Sequence, residues 1–579
     1  MPRAGCREAD NAPLAAGLPF RSSPTNRCQS KDLTAAPRSA PNLRSLFDLV
    51  RSRHVQLLLD SITPPHDQAA IPVARLYHQH TRHRFEAYAA GPGSLDWDAQ
   101  PAAFRRFAGA PSVSLPLIDA AFEPRPQDAP SLEGVAALLQ LALGITAWKS
   151  YGPDRWAVRA NPSSGNLHPV EAYVLISGIQ GLGDGVYHYD PENHALSLRQ
   201  SSPSLAEDGP ILAIALTSAM WREAWKYGER AFRYCQLDVG HALSSLAHAA
   251  ALLGWTLHEQ SQVGAATLGH LLGLERKADF PGKRWDVERE EPELILTVQC
   301  RNQPTPHLIP ARLRQIAEDA QWFGTATTLD RHPMYRWPLV EDVALATRRD
   351  DDPGRPPRAL TVPAPLPARF LRQRRSAQRF DPNHVMSAGV FHRLCKAAGE
   401  VAAEFGIALV LYVHRIEGLA PGLYLLAAAR DRAVISPHAS QGFPAEGAHP
   451  DLISLARHDA VPFRRLARSL HCHQDIAATA CVAMGMLMRM AEPFDRDPGT
   501  YRDMLRAAGH LGQVLYLHAE SLGLRGTGIG CYFDEPVLEA AGLSDGEFRS
   551  LYHFTIGLPI EDGRIETTPA YPHPRQPSP

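Results

Sequence analysis

The chain has 579 residues, 44% of them apolar and 21% charged, ordinary values for a globular protein in water. With 59 Lys and Arg against 61 Asp and Glu, the formal charge is −2, so no electrostatic argument favours nucleic acid or an anionic membrane as partner. No uninterrupted apolar run of about 18 residues occurs, which excludes a transmembrane-helix reading, and the length exceeds one core of about 250–300 residues, so about two domains are expected.

The first 45 residues are rich in Pro, Ser, Arg and Asn and lack a proper apolar h-region. They read as a disordered tail, not a secretory signal. The eight cysteines (Cys6, Cys28, Cys235, Cys300, Cys395, Cys472, Cys481 and Cys531) form no CxxC pair. Reduced, mostly buried thiols and a cytoplasmic chain are expected. The segment 46–325 reads as a first domain. Its motifs begin with RANPSSGNLHP (159–169), just ahead of EAYVLIS. Pro162 pre-sets a turn, Gly165 permits positive φ, and Ser163, Ser164 and Asn166 offer short donors and acceptors. GLGDGVYHY (181–189) then reads as a Gly turn into a strand, and GHALSSLAHAAALLGW (240–255) as a buried helix.

Charge followed by dense proline marks Arg348–Arg369 (RRDDDPGRPPRALTVPAPLPAR) as extended and poorly packed. We assign 326–365 to a linker or arm and 366–579 to a second domain. The latter opens with RQRRSAQRF (372–380), where arginine forks and a serine near a helix suit phosphate. It continues through IALVLYV, GLAPGLYLL (418–426) and GHLGQVLYLHAESLGL (509–524) to GLRGTGIGCYFDEPV (523–537). Its glycines would let backbone approach a ligand. Strand pair and Gly-His helix recur in the same order in both halves, which argues for duplication. The histidines of HQHTRH (78–83) and HCHQ (471–474) have no second cluster at ligand spacing, so no metal is expected.

Taken together, the basic RRS start, the PSSGN loop, KYGERAFRYCQLDVGH and the Gly-rich stretch after the long helix resemble the nitroreductase-like flavoproteins. The resemblance is strongest to SagB-type dehydrogenases, which include the azoline oxidases of thiazole/oxazole-peptide biosynthesis. It implies an α+β chain of two tandem nitroreductase-like α/β/α domains, folded as an intramolecular pseudo-dimer, with FMN at the interface. In that family RRS and the Gly-rich segment come from one subunit and the PSSxN loop from the other. Here the first half has the loop without the RRS, and the second has the RRS without the loop. One complete FMN site per chain follows.

By the same resemblance, Arg374, Arg375 and Ser376 hold the phosphate. Gln378 stands where the family often has Arg or Lys, with Arg379 a substitute. Arg159, Pro162, Ser163, Ser164, Gly165 and Asn166 flank the ribityl chain and ring edge, and Gly528, Ile529 and Gly530 lie near N5. Lys226 and Tyr227 match a catalytic Lys-Tyr pair. Dehydrogenation needs a base as hydride leaves carbon, and either side chain with a lowered pKa in a dry pocket could serve. An azoline-like or other ring in a peptide or small molecule is the expected substrate, with biosynthetic partners on separate chains. The alternatives are an NAD(P)H-dependent nitro, quinone or enone reductase and a catalytically degenerate flavin scaffold.

Overall fold

A computed structural model describes residues 66–571, apart from 120–121, 208–209, 302, 428–450, 491–496, 498 and 544–547. The expected N-terminal tail lies outside the described residues.

In the first half, helices α1 (His66–His80), α2 (Leu132–Leu143), α3 (Trp221–Tyr227) and α4 (Ala231–Leu252) accompany strands β1 (Val170–Ser177), β2 (Gly185–Asp190), β3 (Ala195–Ser201), β4 (Ile211–Ser218), β5 (Thr256–Glu259) and β6 (Glu291–Gln299). The second half contributes helices α6 (Ala388–Phe405) and α7 (Thr500–Ser521), with α5 (Pro338–Ala346) between the halves. Its strands are β7 (Ala408–Val413), β8 (Gly422–Leu426), β9 (Leu452–Arg457), β10 (Val482–Arg489), β11 (Arg525–Ile529) and β12 (Phe548–Gly557). The first sheet runs β3-β2-β1-β4-β6-β5 and the second β9-β8-β7-β10-β12-β11, all antiparallel. The two orders are the same when counted from the start of each half. The duplication read from the motifs is therefore a duplication of topology.

The central strands are apolar runs because helices cover both faces of each sheet: every residue of VEAYVLIS and of ALVLYV is buried. Helix ends follow their sequence signals. Ser131 Oγ accepts from Gly134 N at the start of α2, and Gly406 closes α6 at φ 70°. Helices α4 and α7 are the two Gly-His helices, and they cross where the glycines are. A Cβ on Gly240 would stand 2.1 Å from the Arg506 carbonyl oxygen, and one on Gly509 would stand 2.1 Å from that of Leu237. The reciprocity marks a pseudo-two-fold axis through the crossing, the intramolecular counterpart of a homodimer axis.

Buried ion pairs reinforce the seam. Arg502 bridges Glu291 and Glu293 at 2.7 Å each, and Arg506 reaches Glu293 at 2.6 Å. The stretch 348–369 corrects one expectation. It is largely extended but not poorly packed: Arg358–Ala359 adds to the edge of β5, Leu360 is buried, and Arg349 pairs with Asp497 and Asp503. Its charges are spent on partners in both halves, Arg348 on Glu291 and Arg358 on Glu259 in the first, and its backbone on a free sheet edge, so proline density did not leave it loose.

Candidate active site

The hairpin Ile145–Tyr151/Asp154–Arg159 delivers the chain into RANPSSGNLHP. The loop turns by left-handed residues, Gly165 at φ 59°, Asn166 at φ 60° and His168 at φ 55°. Gly165 meets the role expected of it, whereas positive φ at Asn166 and His168 is strain of the kind concentrated at functional sites. Buried Arg374 reaches across from the second half. Its Nε donates to Ala160 O and its Nη2 to Arg159 O, both at 2.9 Å. Ser376 runs beside Gly526 in a parallel bridge. Two motifs some 210 residues apart thus close around one cleft. Arg159, Pro162, Ser163, Asn166, Arg374, Arg375, Ser376 and Gln378 line it, with Lys149, Trp156, Val158, Asn161 and His168.

The cleft has a cationic wall. Among the described residues, Lys149, Arg374 and Arg375 take part in no ion pair, and Arg374 Nη1 is buried without a hydrogen-bond partner. Burial and the neighbouring Arg374 and Arg525 charges hold Arg375 below the ordinary arginine range. Burial and Arg375 likewise hold Lys149 down. Arg375 donates to Thr146 and to the carbonyls of Arg372 and Arg374, so its charge has no counter-ion while Arg374 Nη1 is an unsatisfied donor, and like charges gathered beside a serine hydroxyl suit an anion.

Two loop residues face away from the cleft. Ser164 donates from N (3.1 Å) and from Oγ (3.0 Å) to Asp238 on α4. Gly165 backs onto the Lys-Tyr pair: a Cβ there would lie 2.5 Å from Tyr227 Oη and 3.1 Å from Lys226 Nζ. The pair ends α3, and Lys226 Nζ lies 5.2 Å from the Trp97 ring centroid. Burial pushes Lys226 below the ordinary lysine range and Tyr227 well above the ordinary phenol range. Only the lysine shifts toward the form a base requires. After burial, the Glu223, Tyr234 and Asp238 charges add to the rise at Tyr227, whose ring centroid lies 5.4 Å from Lys226 Nζ.

The Gly-rich stretch is a strand. RGTGI is β11, paired with β12. The space a side chain would take at Gly528 holds Tyr552, and at Gly530 it holds Tyr234. Gly528 N donates to Tyr516 Oη at 2.9 Å, which also bonds Ser376 Oγ at 2.9 Å. Ile529 is buried. Tyr234, whose hydroxyl donates to Gly530 O at 3.1 Å, lies with its ring tilted 57° to that of Tyr227, centroids 4.5 Å apart. A ring-and-hydroxyl path therefore connects the RRS, β11, the Lys-Tyr pair and the loop.

Sequence reading missed Glu223, Asp238, Tyr234, Tyr516 and Tyr552, whose only signal was their place on helices and strands that read as core. It also missed that Cys472 and Cys531 meet, the Cys472 thiol bonding the Cys531 sulfur. The histidine-rich stretches are packed individually. His78 bonds Tyr501 Oη, His80 pairs with Glu229, and His471 Nε2 meets His553 Nδ1 at 2.8 Å.

The pseudo-symmetric position is filled by the chain itself. β5 occupies the sheet position of β11, and the Gly264 that follows it is covered by Arg349–Asp351, whose Asp351 N would stand 2.5 Å from a Cβ. Asp351 also accepts from Gly264 N and Thr267 Oγ1 at 2.7 Å each.

Residues 371–558, in the second half, match the Nitroreductase family. A candidate nitroreductase of Methanocaldococcus jannaschii is 29% identical over 139 residues, 21% of this chain and 65% of that protein. The trifolitoxin-processing protein TfxB of Rhizobium leguminosarum bv. trifolii is 29% identical over 178 residues, 28% of this chain and 48% of its own. The chain thus spans about half to two thirds of the length of these curated relatives. The crystal structure of a candidate nitroreductase from Anabaena variabilis superposes with a TM-score of 0.57 at 21% identity, covering 84% of this chain and 99% of that one. It shares the fold across both halves.

Proposed function

We propose that the chain is an FMN-dependent dehydrogenase of the SagB type with one flavin site per chain, acting on an azoline-like ring of a peptide or related product. The observation that carries this is the cleft itself: a cationic wall from the second half and a strained polar loop from the first, held together by Arg374. Arg374, Arg375 and Ser376, with Lys149, would hold the phosphate. Ser163 and Asn166 would face the ribityl chain. Bound FMN supplies the two-electron acceptor for hydride.

The chain's own contribution is acid–base. Lys226, kept neutral more readily by burial, takes the proton from the substrate carbon, and Tyr227 donates a hydrogen bond beside it. The tyrosines and Trp97 keep water from this side of the loop. A toxin-processing relative is in keeping with a biosynthetic substrate delivered by other proteins. The filled pseudo-symmetric position supports a single flavin.

Flavin released from the purified protein should amount to one FMN per chain. Arg375→Ala should weaken FMN about 10–100-fold, the loss of a charge-assisted phosphate contact, and leave riboflavin affinity unchanged. Two FMN per chain, or an equal loss for riboflavin, would refute this placement. Anaerobic NAD(P)H that fully reduces the protein at turnover rates would instead support a reductase.

A further inference from the structure

Cys472 and Cys531 are the half-buried thiols among the described residues, whereas Cys235, Cys300, Cys395 and Cys481 are buried. Two hydrogen bonds seat their segments side by side. Phe533 N donates to Leu470 O at 2.9 Å, and Gln474 Nε2 donates to Cys531 O at 3.0 Å. A third tie comes through the sheet. Ile529 of β11 pairs with His553 of β12, whose Nδ1 meets His471 Nε2 at 2.8 Å. Residues 470–474 are therefore laid against 529–533 on both sides of Cys472, and the Cys472 thiol bonds the Cys531 sulfur.

The backbone at this meeting is strained. Cys472 and His473 are consecutive left-handed residues, at φ 51° and 59°. Side chains other than glycine adopt that conformation rarely and keep it only where the surroundings impose it. The turn they make returns Cys472 to the end of β11, where Gly530 O accepts from Arg230 Nη2 at 2.8 Å and from the Tyr234 hydroxyl at 3.1 Å.

We propose that Cys472 and Cys531 form a reversible dithiol–disulfide site that exchanges with small-molecule disulfides, with Cys531 the attacking thiol and Cys472 the resolving one. The Cys531 thiolate attacks one sulfur of the external disulfide, forming a mixed disulfide and expelling the other half as a thiolate. Cys472 then gives up its proton and attacks the Cys531 sulfur, which closes the intrachain bond and expels the second half. Two protein thiols are oxidised, one external disulfide is reduced to two thiols, and the two protein protons go with them. No flavin takes part, so the site stands independently of the dehydrogenase reading.

The surroundings assign the two roles. The Cys472 thiol and the Arg230 charge hold Cys531 below the ordinary thiol range, against burial and the Asp534 charge. Burial and the bond to Cys531 push Cys472 far above it. The thiolate is the nucleophile, so attack starts at Cys531. Arg230 is fixed beside it by Asp534 at 3.3 Å and Thr81 O at 2.6 Å.

Peptide mapping by mass spectrometry of the full chain, treated with oxidised glutathione and then with dithiothreitol, tests this. Wild type should yield a cross-linked Cys472–Cys531 peptide that dithiothreitol reverses. Cys472→Ser should stop at one glutathione on Cys531, and Cys531→Ser should take glutathione at Cys472 about 10-fold more slowly. A wild type that keeps both thiols, or that carries stable glutathione without closing the bond, overturns the proposal. Equal rates in the two variants also overturn it. If the variants fail to fold, the wild-type cross-link decides alone, supporting the site by its presence and refuting it by its absence.

Discussion

Gly240→Ala probes the axis on which the pseudo-dimer is built. The new methyl carbon would meet the Arg506 carbonyl oxygen at 2.1 Å and Gly509 Cα at 2.9 Å. The first contact is about 1.3 Å short of an ordinary van der Waals separation. Both obstacles are backbone, so no rotamer change relieves them. Relief requires sliding or parting two 22-residue helices that are buried along most of their length. Overpacking of this kind costs about 1–3 kcal/mol, whereas Gly to Ala inside a helix gains about 1 kcal/mol in propensity. Because rigid backbone must move on both sides, the cost should fall at the upper end, for a net loss of about 2 kcal/mol. Urea unfolding followed by tryptophan fluorescence would read this as a lower midpoint at unchanged slope. Gly389→Ala is the internal control: it is helical and nothing lies within 4 Å of its Cβ position, so it should gain stability or stay neutral. Gly509→Ala should cost about as much as Gly240→Ala, and the double variant less than the sum, since one separation accommodates both methyls. If Gly240→Ala behaves like Gly389→Ala, the helices do not cross at the glycines and the pseudo-two-fold argument fails.

Three further outcomes are expected. Asp534→Ala should destabilise the chain by about 3–5 kcal/mol, because Asp534 takes Arg233 at 2.9 Å, Arg230 at 3.3 Å and His83 N at 3.0 Å in a buried junction between the halves; a change below about 1 kcal/mol in thermal or urea unfolding would contradict that burial. Asp238 carries a folded-state pKa raised to about 7, so its contribution to stability is fully present below the unfolded carboxylate range near pH 4 and is lost as pH rises through 7. Asp238→Asn, which keeps an acceptor for Ser164, should flatten the pH dependence of unfolding in that window by up to about 4 kcal/mol, and parallel profiles for the two proteins would count against it. Cys531 is held below the ordinary thiol range by the Cys472 thiol and the Arg230 charge, so mass spectrometry after brief iodoacetamide treatment at pH 7 should find it modified before Cys235, Cys395 and Cys481, which are buried. Cys472→Ala should slow that reaction, and an unchanged rate would mean the thiol contact has no effect.

Local signals were enough for the elements and their repetition. Apolar runs bounded by glycines specify β1 with β2 and β7 with β8, and the 3.6-residue spacing after each Gly-His specifies α4 and α7, because each pattern concerns which faces of one segment are buried. The complementary motifs were legible too: a loop missing its basic partner and a basic start missing its loop can be matched by residue type alone. What followed from them depended on long-range geometry. Only the fold shows that Arg374 spends two of its donors on the carbonyls of residues 159 and 160, that Gly528 and Gly530 make room for Tyr552 and Tyr234, and that the linker fills the position facing Gly264. Glu223 and Asp238 lie 15 residues apart on successive helices and look like ordinary helical acids in the sequence. Their character comes first from desolvation, which arises when the packed halves remove water from around them.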